Sequence, residues 1–139
     1  MEKYIDIIIP RGGKNLVKKV RKKSKVRTIG HLEGICHVYV DRQANLDMAI
    51  KVVKNAKMRN FSICGAAETL LIDKMCLKTH CDPLLSELSK IGCKIIGDKI
   101  IKKNFSGSMK VAHKTDWDTE YLSPTISVKC VDGVKGAIN

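Results

Sequence analysis

A chain of 139 residues is the size of one ordinary domain and is long enough to bury a substantial core. Its composition, with 44% hydrophobic and 29% charged residues, is typical of a globular protein and excludes a disordered one. The early apolar run Ile7-Ile8-Ile9 lies between Asp6 and Pro10 and is too short for a signal peptide or a membrane span, so the sequence predicts a cytoplasmic protein with no membrane partner.

The formal net charge of +12 is concentrated at the start of the chain. Residues 1–30 contain ten Lys and Arg against Glu2 and Asp6, a net of +8, and the densest run is 18–25. Such a stripe could attract phosphate groups, but basic patches are non-specific, and a solvated helix face is the favoured interpretation. Aromatic residues make up only 4% of the chain, which argues against a nucleic-acid partner because single-strand binders stack bases on aromatic rings.

The first forty residues contain four short predicted elements. The β-branched and apolar residues 4–9 predict a short buried strand, which Pro10-Arg11-Gly12-Gly13 ends as a turn. Apolar residues at helical spacing predict a helix over 15–23, with cations crowding its last turn. Two further strands are predicted at 26–29 and 35–40.

The remainder of the chain continues the alternation of helices and strands. The predicted segments are, in order, a helix at 46–56, a strand at 69–72, a helix at 83–91, a strand at 94–96, a loop at 97–114 and a strand at 126–131. Asp82 is the predicted N-cap of the second of these helices, with Pro83 at its first helical position. Such alternation indicates an α/β fold.

Six cysteines stand at positions 36, 64, 76, 81, 93 and 130, and none forms a Cys-x-x-Cys pair. In a reducing cytosol they are predicted to be free thiols, most of them buried as small hydrophobic residues. Cys76, His80, Cys81 and Cys93 are zinc-ligand residue types. Their spacing matches no standard pair of ligands, so no metal site is predicted.

The most specific stretch of the chain is Ser62-Ile63-Cys64-Gly65-Ala66-Ala67-Glu68-Thr69-Leu70-Leu71. A cysteine in a loop between a helix and a strand, followed by small residues, could expose a nucleophilic thiolate to a substrate. A single loop cysteine is more often a structural thiol, and composition and spacing leave both interpretations open.

This stretch is similar to the nucleophile loop of gamma-glutamyl phosphate reductases, a branch of the aldehyde dehydrogenase superfamily. Residues 7–13, residues 31–41, Asn55-Ala56-Lys57 and Thr119-Glu120-Tyr121-Leu122-Ser123-Pro124 also resemble family segments, in the family's order. The resemblance implies a partial aldehyde-dehydrogenase-like α/β fold, incomplete at both ends. Residues 1–32 would be the end of a nucleotide-binding domain, and residues 33–139 the first part of a catalytic domain that bears the cysteine.

The resemblance also implies an activity and its site residues. Family members use NADPH to reduce L-glutamyl 5-phosphate to glutamate 5-semialdehyde in proline synthesis. Cys64 would be the nucleophile, and Glu120 would hydrogen-bond the nicotinamide ribose of the cofactor NADP. Gly12 and Gly13 would lie near the cofactor phosphates, where a helix N-terminus favours anions.

The sequence departs from the family next to the cysteine. Arg59-Asn60-Phe61 stands where the family usually has Gln-Arg-Pro, and Gly65 stands where it has Asn. Small misplacements of a reacting group are expensive in rate. Most of the nucleotide-binding domain, with the asparagine that completes the oxyanion hole, does not occur among these 139 residues, so we expect the chain alone to be inactive and to bind NADP weakly.

Three functional interpretations stay open. The chain could be an inactive relic of a truncated reductase gene, a possible pseudogene product. It could be one chain of a split reductase that assembles with a separate chain supplying the nucleotide-binding domain. It could also be a basic module that binds nucleic acid or an acidic partner.

Overall fold

The computed structural model describes residues 3–139. The chain packs into two units, one ending at Gly34 and the other formed by Ile35–Asn139. The predicted domain boundary between residues 32 and 33 falls close to this division, while the assignment of each part to a domain of a longer enzyme stays a prediction. Within residues 3–139, no helix combines the length and the apolar character that crossing a membrane requires.

The first unit pairs two very short strands beside one helix. Strand β1 (Ile7–Ile8) runs parallel to β2 (Arg27–Thr28), and α1 (Lys14–Lys23) lies between them in sequence. The predicted helix is confirmed, and its cations are exposed, as expected of a solvated face. The predicted buried strand over residues 4–9 is wrong: only two residues pair, and Ile9 is 60% exposed, because a two-residue partner strand gives too small a ladder to cover it.

The second unit is a five-stranded parallel sheet with helices. Its elements are, in chain order, β3 (Cys36–Val40), α2 (Leu46–Met58), β4 (Ala67–Asp73), α3 (Leu77–Lys90), β5 (Lys94–Gly97), α4 (Lys99–Asn104), β6 (Lys110–Val111), a 3-10 helix (Lys114–Asp118), β7 (Thr125–Val131) and α5 (Gly133–Ile138). The strand order is β3-β4-β7-β5-β6. The predicted α/β fold is confirmed.

The core of the second unit surrounds β4, in which every residue is buried. Leu70 and Ile72 on this strand have no exposed surface, and they pack in one cluster with Val53 of α2 and Leu84 and Leu85 of α3. Fully burying one such side chain contributes about 1.5–3 kcal/mol. A parallel strand covered on both faces needs apolar residues at nearly every position, which explains why the sequence shows a run here rather than an alternation.

Helix α3 begins earlier than the sequence pattern predicts. It starts at Leu77, not at residue 83, and Pro83 lies in its interior. Asp82 is therefore not an N-cap; its Oδ1 accepts hydrogen bonds from Ser106 N and Oγ, both at 2.7 Å. A proline interrupts a helix by removing one N–H donor, and here the buried face that continues upstream through Leu77 and Cys81 outweighs that loss.

Residues 97–114 are more ordered than the predicted loop. Asp98 caps α4 by accepting hydrogen bonds from Ile100 N and Ile101 N, both at 2.8 Å. The other carboxylate oxygen of Asp98 accepts from Cys130 N at 2.9 Å, which ties the helix to β7. Ile101 is fully buried. A helix of six residues is too short to show a clear period in the sequence, so the prediction of a loop is wrong.

A buried carboxylate organises the end of β4. Asp73 has no exposed surface, and its Oδ2 accepts hydrogen bonds from Tyr39 Oη at 2.8 Å and from Arg42 Nε at 3.1 Å. Its Oδ1 accepts from Met75 N at 2.8 Å. The Met75 N–H does most to lower the pKa of Asp73; Tyr39 and Arg42 lower it further, against the opposing effect of burial.

Replacing Asp73 with Asn should lower the thermal unfolding midpoint by several degrees at neutral pH, because the amide leaves the Arg42 charge without its partner. The lowered pKa makes this stabilisation fully present above the unfolded-state pKa of about 4, and it is lost as the pH falls through the folded-state value. The difference in thermal unfolding midpoint between the parent and Asp73→Asn should therefore shrink as the pH is lowered. Melting curves followed by circular dichroism measure this, with exposed Asp118→Asn as control. A constant difference between parent and variant at every pH would contradict the prediction.

Candidate active site around Cys64

The segment that connects α2 to β4, residues 59–66, carries Cys64 and is called the Cys64 loop below. Cys64 is exposed. A hydrogen bond from Ala66 N to Ile63 O, at 3.0 Å, closes a turn around it, and the Cys64 carbonyl accepts from Cys36 Sγ at 3.4 Å. Apart from the adjacent residues Cys64 and Ala66, no residue has a heavy atom within 4 Å of the point where a Cβ on Gly65 would stand. Cys64 therefore lies on an exposed turn, with open space beside the next residue.

The other five cysteines are less accessible than Cys64, and all six thiols are free, as predicted. Cys76, Cys81 and Cys93 are buried, and Cys36 and Cys130 are half-buried. Burial raises the pKa of Cys81 to about 12 and that of Cys93 to about 11. A raised pKa lowers the fraction of reactive thiolate. Exposure thus distinguishes Cys64 from every other thiol of the chain.

A small cavity of about 170 Å³ lies against the Cys64 loop. It is lined by one guanidinium, two side-chain amides and small or apolar residues, namely Arg59, Asn55, Asn60, Ala56, Ile63, Gly65 and Ala66. Guanidinium and amide N–H groups donate hydrogen bonds to carboxylate and phosphate oxygens. The cavity, which Cys64 itself does not line, therefore suits an anionic group.

Beneath the Cys64 loop lies a buried pair of opposite charges. Lys57, in the last turn of α2, donates from Nζ to Glu68 Oε2 at 2.7 Å, and neither side chain has exposed surface. Glu68 is the second residue of β4. The pair joins the two ends of the Cys64 loop, so it fixes the distance between the end of α2 and the start of β4.

The same glutamate reaches a second loop, residues 119–124, called the Glu120 loop below. Leu122 N donates to Glu68 Oε1 at 3.2 Å. Leu122 has φ +48°, the one left-handed conformation at a non-glycine residue in the part of the chain that the structure describes. Tyr121 anchors the loop on its other side, with its hydroxyl 2.8 Å from Ser127 Oγ. Burial raises the pKa of Tyr121 to about 12.

The four predicted site residues fall in both units of the chain, and their roles stay predictions. Cys64 and half-buried Glu120 lie on loops that are both anchored at Glu68. Gly12 and Gly13 belong to the first unit, where Gly13 is the N-cap of α1. Gly12 has φ +139°, a backbone conformation that side chains rarely adopt, so this conformation favours glycine there.

Lys57 and Glu68 are the residues that sequence analysis missed. A signal was present, because Glu68 is a charged residue that directly precedes the apolar part of β4, and Lys57 follows Val53 by one helical turn on the buried face of α2. Charged residues are almost never fully buried unless they are paired. Among residues 3–139, no group of three or more His, Cys, Asp or Glu side chains is arranged to hold a metal ion.

Comparison with known proteins shows which proteins the chain is similar to. The chain is 52% identical, over 134 residues, to gamma-glutamyl phosphate reductase of Mesorhizobium japonicum, a match that spans 96% of the chain and 31% of that protein. The crystal structure of gamma-glutamyl phosphate reductase from Thermotoga maritima superposes with a TM-score of 0.93 at 34% identity, covering 99% of the chain and 33% of that structure. No protein-family model matches the chain.

A more distant structure extends the likeness to the superfamily fold. An acetylating aldehyde dehydrogenase from Geobacillus thermoglucosidasius superposes with a TM-score of 0.64 at 19% identity, covering 95% of the chain and 36% of that structure. At this identity the likeness shows the fold alone. The predicted resemblance and the predicted partial aldehyde-dehydrogenase-like fold are thus confirmed. In sequence and in fold, the chain matches a segment of the gamma-glutamyl phosphate reductases that makes up 31% of the M. japonicum protein's length.

Proposed function

We propose that this chain carries the cysteine nucleophile of a gamma-glutamyl phosphate reductase reaction, with L-glutamyl 5-phosphate as the substrate. The observation that carries the proposal is the exposure of Cys64, alone among six thiols, on the turn between α2 and β4. The 52% identity to a protein named for this reaction supports the choice of substrate. The reaction would place the chain in proline biosynthesis.

The first step is acyl transfer to sulfur. The Cys64 thiol releases its proton to solvent, and the thiolate attacks the acyl carbon of the substrate. A C–S bond forms, the C–O bond to phosphate breaks, and inorganic phosphate leaves with the bonding electrons. Arg59 lines the cavity beside the Cys64 loop and can hold the phosphate oxygens with charged hydrogen bonds. When bound, NADPH supplies the hydride that converts the resulting thioester to glutamate 5-semialdehyde and frees the Cys64 thiolate.

Each unit, taken by itself, carries residues whose chemistry suits one part of an NADP molecule. Gly12 leaves room for a close backbone approach, and Gly13 brings no side chain of its own to the first turn of α1, whose N-terminus attracts phosphate. Glu120 offers a carboxylate to a ribose hydroxyl. These are few contacts for a dinucleotide. We therefore propose that tight NADP binding needs a separate chain that supplies the nucleotide-binding domain, in the reducing cytoplasm where free thiols persist.

Cys64 should be the first of the six thiols to react with iodoacetamide, because it is exposed while burial raises the pKa values of Cys81 and Cys93. Peptide mass spectrometry after brief labelling at neutral pH measures the order. Labelling in denaturant is the control, because it should remove the difference among the six. Slowest labelling at Cys64 in the folded chain would contradict the proposed exposure.

Acetyl phosphate, a small acyl phosphate, should acetylate Cys64 and release an equal amount of inorganic phosphate. Intact-mass measurement and a phosphate assay follow the two products. Cys64→Ser should abolish thioester formation, and Arg59→Gln should slow it about tenfold, because a charged hydrogen bond to phosphate is lost. The matched control is Arg42→Gln, a cation at the other end of the sheet. Equal phosphate release by the parent and by Cys64→Ser would refute the acyl-transfer role.

The chain by itself should show no reductase turnover and no tight NADPH binding, because Gly12, Gly13 and Glu120 make too few contacts to offset the cost of ordering a dinucleotide. Calorimetric titration with NADPH and a steady-state oxidation assay measure both quantities. Addition of a chain that supplies the nucleotide-binding domain should restore turnover. Saturable micromolar binding by the chain alone, with turnover that disappears in Cys64→Ala, would show that these residues suffice.

A further inference from the structure

We propose that Glu68 is a positioning residue: it divides its carboxylate between Lys57 and Leu122 and thereby fixes the Glu120 loop relative to the Cys64 loop. The functional meaning of this inference rests on the proposed role of Cys64. The structural part of the inference, that the Glu68 carboxylate holds both loops, rests only on its two hydrogen bonds.

The first link closes the Cys64 loop. Lys57 and Glu68 are eleven residues apart in sequence, and the contact between Nζ and Oε2 at 2.7 Å joins the helix before the loop to the strand after it. Both side chains are completely shielded from solvent. A charge at either position would be buried without compensation if the other were removed, so the two side chains hold each other in one arrangement.

The second link restrains the Glu120 loop. Leu122 N donates to the remaining carboxylate oxygen, Oε1, at 3.2 Å, from a residue 54 positions further along the chain. A leucine with φ +48° occupies a backbone region that side chains disfavour, and such a conformation persists where surrounding contacts fix it. Leu122 is two residues from Glu120, so this hydrogen bond acts on the segment that carries the proposed cofactor ligand.

Neither link is explained by stability alone. Replacing a buried ion pair by apolar residues of similar volume often leaves stability unchanged or raises it. An apolar side chain at position 68 could fill the same space, yet it could not accept a hydrogen bond from Leu122. What the glutamate adds is a pair of acceptors aimed at two different segments. That addition can be separated experimentally from its contribution to stability.

The decisive variant is Lys57→Met with Glu68→Leu, which removes both charges together and keeps the volume. We expect it to fold with a thermal midpoint near that of the parent. Backbone amide exchange of Leu122 and of Ala66, the donor within the Cys64 loop, should accelerate about tenfold, since each protecting contact loses its anchor. Unchanged exchange at both amides would overturn the proposal.

Two further variants separate positioning from stability. Lys57→Met with Glu68→Gln keeps a neutral oxygen that can accept from Leu122 N, so it should restore slow exchange at Leu122. Asp73→Asn removes a buried charge at the opposite end of β4 and should leave Leu122 and Ala66 unchanged. Equal acceleration at both amides in Asp73→Asn would overturn the proposal in favour of general destabilisation. If the leucine variant does not fold, fast Leu122 exchange in the glutamine variant would overturn it.

Acetylation of Cys64 by acetyl phosphate, measured in the same variants, connects the geometry to the chemistry. The rate should fall about tenfold in the leucine variant and recover in the glutamine variant, since a loosened loop presents the thiol less often in attack geometry. An unchanged rate in the leucine variant would overturn the functional part. A parent that is not acetylated would refute the proposed role of Cys64, whereas the amide exchange would still decide whether Glu68 holds the two loops.

Discussion

The arrangement of the Cys64 loop depends on the contact between Lys57 and Glu68, two opposite charges 2.7 Å apart with no access to solvent. Withdrawing such charges from water carries a large desolvation penalty, which close contact and further hydrogen bonding must offset. Glu68 meets that requirement with a second partner, the Leu122 N–H. The Glu68 carboxylate therefore contacts the end of α2 and the Glu120 loop as well as belonging to β4. The exposed Cys64 lies on the loop between Lys57 and Glu68.

Local patterns predict the elements that have strong apolar periodicity of their own. Helix α2 shows a buried face at Ala49 and Val53, β4 contains the apolar run Leu70-Leu71-Ile72, and β7 alternates apolar with polar residues, so the sequence predicts each near its observed position. The start of α3 was misplaced because Pro83 is a strong local signal for a helix beginning. The burial that extends the helix back to Leu77 is a tertiary effect, and no local rule contains it.

The candidate site likewise contains residues that the sequence predicts and residues that it does not. Cys64 was found through resemblance, since a loop cysteine alone is ambiguous, and the structure adds that its thiol is the exposed one. Lys57 and Glu68 were missed because their meaning lies in a pairing across the Cys64 loop and in a hydrogen bond from Leu122. A sequence shows each charge singly. It does not show that one carboxylate serves two partners in separate segments.

The strand order has a consequence for how the chain reaches this arrangement. β4 lies between β3 and β7 in the sheet, and β7 follows both of these strands in the chain. Contacts between residues far apart in sequence form slowly, because a long loop must close before they are gained. During synthesis, the cysteine emerges well before the strand and the loop that complete its surroundings. The thiol is thus exposed while the sheet is incomplete, and the contacts of β4 with β7 and with Leu122 form only after residues 119–131 have been synthesised.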